Sequence, residues 1–441
     1  MCSGLLSKKM TQGERTELYS IWKAFVVRAL EHLKSQVSQG ADIPESVHEE
    51  IVLEGIGGPL YRRVQVRKTE YNLFLSIQFR GLVGLEEYKS LSKAMEADPQ
   101  ISDHTKGGVS TVVSGVFRGI WDYATYPLIE QLSKGKKKFA FDEELFRENF
   151  SQLIRFFSSK TILFRYLAPL LGFDSDVGEL VLEPRLKIRQ MTKEELQDFM
   201  NLLKDGGFMP FEEVRFFKFC IELQLDASKH FESWNPTEPE LEAPAEEILQ
   251  VVGSLRLFKP GDLTYNVIKV TPAVDFLHTP GITIQVGHYR GFLGNSYVLN
   301  RADLDEFKVL RGLMKDSTIP KVALRRFQLA YDREHLEDRM IDYMIGLEAL
   351  FLRGGSSEMT HKLSLRVAKL LAGGLDDRHR VYKEVKKLYG GRSAIVHGES
   401  ADLSDQNLGR VEEILRHSIK QFLRLLKGVS HEELLTRLDL L

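Results

Sequence analysis

Apolar residues recur along this chain at more than one period, and a change of period marks an expected change of element. Between residues 11 and 39, Leu18, Ile21, Trp22, Phe25, Val26, Ala29, Leu30 and Leu33 fall at the three-and-four spacing of one helix face, and Gly40 closes the run. Residues 60–67 and 72–79 are rich in aromatic and β-branched side chains and read as two paired strands. Helical spacing returns over 85–97, whereas 107–117 fits strand or loop equally. Residues 142–171 read as one long helical region carrying Phe146, Phe150, Leu153, Ile154, Phe156, Leu163, Phe164, Leu167 and Leu170.

The pattern shifts near 173–179. Residues 180–189 alternate like a strand, and Thr192-Lys-Glu-Glu195 is a capping box opening a helix that runs to Leu203. Strands are expected over 216–225, 265–270 and 281–287, a helix over 245–257, and an exposed loop in the acid- and proline-rich run 232–244. From Asp303 onward the chain reads as helical. Leu304, Phe307, Leu310 and Leu313 form one face, Pro320 opens the next helix, and 321–352 is the longest continuous helical pattern. Further helices are expected over 360–371, 377–388 and 403–426, with a last one opened by Ser430-His-Glu-Glu433. Gly390-Gly391 is expected to open or interrupt a helix. The fold class is therefore α+β: mixed segments over 1–173 and 174–302, continuous or separate, followed by an all-α domain over 303–441.

Composition narrows the function. At 441 residues the chain is long enough for two or three domains, and 43% hydrophobic with 28% charged residues is neither a disordered nor a fibrous composition. A net charge of −2 confines any nucleic-acid binding to a local patch. Cys2 and Cys220 are too few for a disulfide framework or a four-cysteine zinc site, which favours a reducing setting. With no apolar run near the roughly 20 residues of a spanning helix, and no apolar stretch before the first lysines, a soluble, cytoplasmic protein without a membrane partner is expected. His278 and His288 lack a second ligand at a metal-site spacing and read as surface or hydrogen-bonded residues; no metal or other cofactor is expected.

Candidate chemistry gathers in Tyr389-Gly-Gly-Arg-Ser-Ala-Ile-Val-His-Gly398. Arg392 is a permanent cation whose planar fork can grip a phosphate, and His397 is the side-chain type that exchanges a proton near neutrality. On an ideal helix residues five apart are rotated by about 140°, so the pair shares no face of one helix but can line a cleft where two copies meet about a two-fold axis. Lys362, Arg366, Lys383, Lys386 and Lys387 make the surrounding segment basic and are candidate RNA contacts. The same residues also fit a plainer account: a solvated helix face, an ion-paired arginine and a histidine capping a helix end. The Lys134-Gly-Lys-Lys-Lys138 cluster likewise reads as a solvated loop tip.

Four runs in register carry a resemblance: Phe327-Gln-Leu-Ala-Tyr-Asp332, Glu337-Asp-Arg-Met-Ile-Asp-Tyr-Met-Ile-Gly-Leu-Glu-Ala-Leu350, Lys362-Leu-Ser-Leu-Arg-Val-Ala368 and Leu388-Tyr-Gly-Gly-Arg-Ser-Ala-Ile-Val-His-Gly398. Together, over about 319–426, they resemble the Apea-like branch of the HEPN superfamily. The resemblance implies a helical bundle, commonly a homodimer, with an R-x-x-x-x-H motif that Arg392 and His397 match. Active members are metal-independent endoribonucleases, often in bacterial defence or toxin systems that halt growth during phage infection. Ser393 falls at a commonly polar position, and Glu348 at an acidic one suited to orienting the arginine. Residues 166–195 look like the segment that often precedes this domain. Implied partners are an RNA substrate, a second copy and a phage-derived trigger or inhibitory partner. A non-catalytic HEPN module that binds RNA or nucleotide, or scaffolds a partner, is the alternative; a metal-dependent nuclease finds no clustered acidic ligands in the C-terminal domain.

Overall fold

A computed structural model of the chain describes residues 12–54, 60–97, 120–134, 138–159, 161–206, 217–228, 238–273, 282–285, 296–352, 358–397 and 404–440. The expectations for 107–117, His278 and His288 lie outside them. The fold is mixed α/β, with all the described strands before residue 300 and a helical C-terminal region. The chain forms two compact units: Met1–Tyr166, Gln224–Ala243 and Lys269–Ile284 in the first, Leu167–Leu223, Pro244–Ile268 and Gln285–Leu441 in the second. Residues 303–441 thus belong to the same unit as 167–223 and 244–268.

The first unit is built on α1 (Gln12–Ser38). Its apolar face buries Trp22, Val26, Ala29 and Leu33, and the Trp22 indole donates to the Thr125 hydroxyl at 2.8 Å. Beside it are β1 (Glu45–Glu54), β2 (Leu60–Thr69), α2 (Tyr71–Val83), α3 (Glu86–Ala97), α4 (Ile120–Lys134) and α5 (Glu143–Ser158). Two expectations fail here. Residues 60–67 do form a strand, but β2 pairs antiparallel with β1, from Glu45 opposite Thr69 to Glu54 opposite Leu60. The segment 72–79 is helical: Tyr71, Phe74, Leu75, Phe79 and Leu82 are buried at helical spacing while Leu73 and Ile77 stay exposed. Burial of that stripe outweighs the strand preference of its aromatic residues.

Similarly, 142–171 is not one helix. After α5 the chain extends as β3 (Thr161–Leu171), buried without interruption from Tyr166 to Leu171. A strand covered on both faces has a continuous apolar run, which periodicity alone does not separate from a buried helix. The remaining strands are β4 (Phe173–Asp174), β5 (Glu179–Glu183), β6 (Leu186–Gln190), β7 (Phe217–Ser228), β8 (Val267–Pro272), β9 (Ile282–Gln285) and β10 (Tyr297–Val298). Their main sheet has the order β5-β6-β7-β3-β8-β9. Two helices belong to this stretch. In α6 (Lys193–Gly206) the Thr192 hydroxyl accepts from the Glu195 N–H at 3.2 Å and the Glu195 carboxylate from the Thr192 N–H at 3.0 Å, the expected capping box. In place of a loop reaching Pro244, α7 (Glu238–Phe258) already begins at Glu238.

The C-terminal helices are α8 (Leu304–Lys315), α9 (Lys321–Tyr331), α10 (Leu336–Phe351), α11 (Met359–Leu371), α12 (Leu375–Val396), α13 (Asp405–Leu425) and α14 (His431–Leu440). The 321–352 pattern is broken at 332–335 into α9 and α10. An unbroken helix of that length would reach about 48 Å at 1.5 Å per residue, too long for both halves to share one core; the break lets Phe327, already against Tyr331, pack with Tyr343 as well. At Gly346 a Cβ would stand 2.7 Å from Leu415 Cδ2, so the bare glycine is what permits α13 to approach α10 this closely. No described helix is long and apolar enough to cross a membrane.

Candidate functional site

The site is carried by α12 and the turn of α10 beside it. One face of α12 buries Val381, Val385, Leu388 and Tyr389. Arg410 of α13 grips Glu384 through Nε at 2.7 Å and Nη2 at 2.9 Å, and the Tyr382 hydroxyl meets His361 of α11 at 3.0 Å. Anchored this way, the helix runs straight through Gly390-Gly391 to Val396, contrary to the expected interruption. Each glycine costs a helix about 1 kcal/mol relative to alanine, and the turns packed on either side of the pair hold it in register. Among the described residues nothing lies within 4 Å of where a Cβ would stand at either position, so their packing does not demand the glycines.

Helical rotation then separates the two motif residues. Arg392 turns toward α10, where its Nη2 lies 3.9 Å from Glu348 Oε2, with about a quarter of each side chain exposed. Glu348 is held on its other oxygen by the Tyr389 hydroxyl, which donates to Oε1 at 2.7 Å. The Tyr389 ring also faces the guanidinium, its centroid 6.0 Å from Arg392 Cζ. Arg392 Nε is buried and has no partner among the described residues. Burial, reinforced by the bond to Glu348, pushes the Tyr389 phenol up to about 12 from 10.0. The phenol therefore remains a hydrogen-bond donor through the neutral range.

His397 ends the helix. Its N–H donates to the Ser393 carbonyl at 3.1 Å, and its ring is exposed. Eighteen residues make about five turns, so His379 and His397 lie on one face of α12, with Lys383, Lys386 and Gly390 between them, all exposed. Lys383, Lys386 and Lys387 make no ion pair with a described residue. Lys362 is exposed on α11. Arg366 differs: it clamps Asp439 through two bonds of 2.7 and 2.6 Å, and this holds the Asp439 carboxyl below the usual carboxylate range. Its fork is committed inside the chain.

The structure thus brings Arg392, Glu348 and Tyr389 together and leaves His397 on the basic face, with no hydrogen bond between them within one chain. Tyr389 is the residue that sequence reading passed over as a partner. Its position three residues before Arg392 is the available signal, because residues at that spacing are neighbours on a helix. Among the described residues no three His, Cys, Asp or Glu side chains converge as metal ligands. Compared with family models, curated proteins and solved structures, the chain matches none.

Proposed function

We propose that this chain is a metal-independent endoribonuclease of the HEPN type, acting in the cytoplasm as a homodimer whose two α12 helices line one cleft. The ribose 2′-hydroxyl attacks the adjacent phosphorus. The His397 of one copy takes its proton and returns one to the departing 5′-oxygen, and the Arg392 of the other copy offsets the charge that builds on the phosphoryl oxygens. The P–O5′ bond breaks, giving a 2′,3′-cyclic phosphate and a 5′-hydroxyl. Lys383, Lys386 and Lys387 attract the backbone beside the cut, and Ser393 supplies a further hydroxyl for a phosphate. DNA lacks the nucleophile and is spared.

The observation carrying this reading is the unfinished arginine: a side chain about a quarter exposed, set by one carboxylate oxygen and a ring, its Nε without a partner among the described residues, at the end of a lysine face that makes no ion pair with a described residue and leads to an exposed histidine. Its biological setting is proposed as antiviral defence, a toxin released by a phage-derived trigger in abortive infection, with the mixed α/β region sensing or restraining. A non-catalytic HEPN module binding RNA or a partner is the second reading, favoured by the fact that Arg392 already faces a carboxylate and His397 already caps a helix within one chain. Incubating pure protein with RNA in EDTA, beside Arg392→Ala and His397→Ala, decides. Cleavage that survives chelation, leaves cyclic phosphate ends and vanishes in both variants supports the enzyme; cleavage abolished by EDTA or retained in either variant rejects it.

A further inference from the structure

Where α12 meets α10, three polar groups share too few bonds. Glu348 has two carboxylate oxygens; Oε1 accepts the Tyr389 hydroxyl at 2.7 Å and Oε2 stands 3.9 Å from Arg392. A guanidinium beside an uncommitted carboxylate closes on it with parallel bonds of about 2.8 Å. Arg410 closes in this manner on Glu384, at 2.7 and 2.9 Å, in the same helical region. Arg392 does not close, although its Nε is buried without a partner among the described residues.

We propose that Tyr389 is a positioning residue that holds Glu348 away from Arg392, keeping the arginine oriented but not consumed. With Oε1 occupied, the carboxylate presents a single oxygen to the guanidinium, enough to attract it and too little to fill its fork. The Tyr389 ring gives a second reference surface, at the outer edge of cation–π range. The donors left over are those a substrate phosphate needs. Because the phenol is buried and bonded to a carboxylate, it stays protonated and continues to donate; a phenolate there would repel Glu348 instead. For its catalytic consequence the inference rests on the nuclease reading above, while its structural content stands apart from it.

Replacing Tyr389 with phenylalanine keeps the ring and the burial and deletes only the donor. Oε1 is then unpaired beside a cation, and the ion pair is expected to close. The test uses full-length protein labelled with 15N-arginine, the Arg392 Nε–Hε resonance being assigned by its loss in Arg392→Lys. In Tyr389→Phe the resonance should shift and rotation about the Cζ–Nε bond should slow. In the double variant Tyr389→Phe, Glu348→Gln both should return toward wild type, since an amide forms no ion pair. In parallel, kcat/KM on single-stranded RNA in EDTA should fall in Tyr389→Phe by roughly tenfold to a hundredfold, the cost of a misplaced catalytic group. An Arg392 signal unchanged in Tyr389→Phe, or a double variant in which that signal does not return toward wild type, overturns the inference. Wild-type protein that cuts no RNA, while the Arg392 signal changes and recovers as described, supports the clamp and removes the nuclease reading alone.

Discussion

Glu412 and Glu348 each face an arginine and accept a tyrosine hydroxyl in the same helical region, yet one set is closed and the other open. Glu412 accepts from Tyr331 at 2.5 Å and from Tyr343 at 3.1 Å, and it also bonds Arg416, whose Nε donates to the Arg256 carbonyl at 3.1 Å. Arg416 and both tyrosines are buried, and burial next to the Glu412 charge drives both phenols far above their ordinary value. Around Glu348 the arginine stands off at 3.9 Å with an Nε that has no partner among the described residues; Glu412 also has such an arginine, Arg339 at 3.9 Å, but beside the closed Arg416. A closed set locks helices together, whereas an open one keeps a cation available. The glycines repeat the contrast, since Gly346 is pressed by Leu415 and Gly390 and Gly391 have open space.

The largest effect should come from breaking the closed set. Glu412→Ala strands Arg416 in the interior and should cost about 3–5 kcal/mol, read as a lowered denaturant midpoint; a loss under 1 kcal/mol would show the network to be ornamental. Arg392→Ala should do the reverse, removing little stability while cutting RNA cleavage about 10²- to 10³-fold, as deletion of a donor aimed at a charged transition state does. Gly346→Ala should destabilise by about 1–3 kcal/mol through overpacking against Leu415. Gly390→Ala should stabilise the isolated helix by up to about 1 kcal/mol; if it also lowers cleavage, the bare backbone there serves an approaching strand or second copy. The smallest effect is in pH. Because the folded Tyr389 pKa of about 12 lies above the unfolded 10.0, its contribution is whole below pH 10 and is lost as pH rises toward 12. The stability gap between wild type and Tyr389→Phe should therefore narrow over that alkaline window.

Much of this architecture was legible from period and caps. The α1 face, the Thr192/Glu195 box and the Ser430 cap, which accepts from the Glu433 N–H at 3.1 Å, are local features fixed by neighbouring residues. What escaped depends on distant partners. β1 is a charged run, Glu45-Ser-Val-His-Glu-Glu50, that becomes a strand through its pairing with β2. β3 resembles a buried helix until its place in the sheet is known, and Gly390-Gly391 looks like a stop until α11 and α13 are packed on α12. In the candidate site, Arg392 and His397 stood out by residue type and spacing. The Tyr389–Glu348 bond did not, because its partners are 41 positions apart and their meeting depends on how two helices pack. Arg366 shows the converse: basic in sequence, its guanidinium is spent on Asp439.

Mixing two inactive proteins tests the central claim most directly. If each site takes Arg392 from one copy and His397 from the other, Arg392→Ala and His397→Ala chains allowed to exchange subunits form mixed dimers with one intact site. Random pairing makes half the dimers mixed, so about a quarter of wild-type cleavage should return in EDTA. Two variants that each purify as folded dimers, exchange subunits and yet remain inert together would contradict the account.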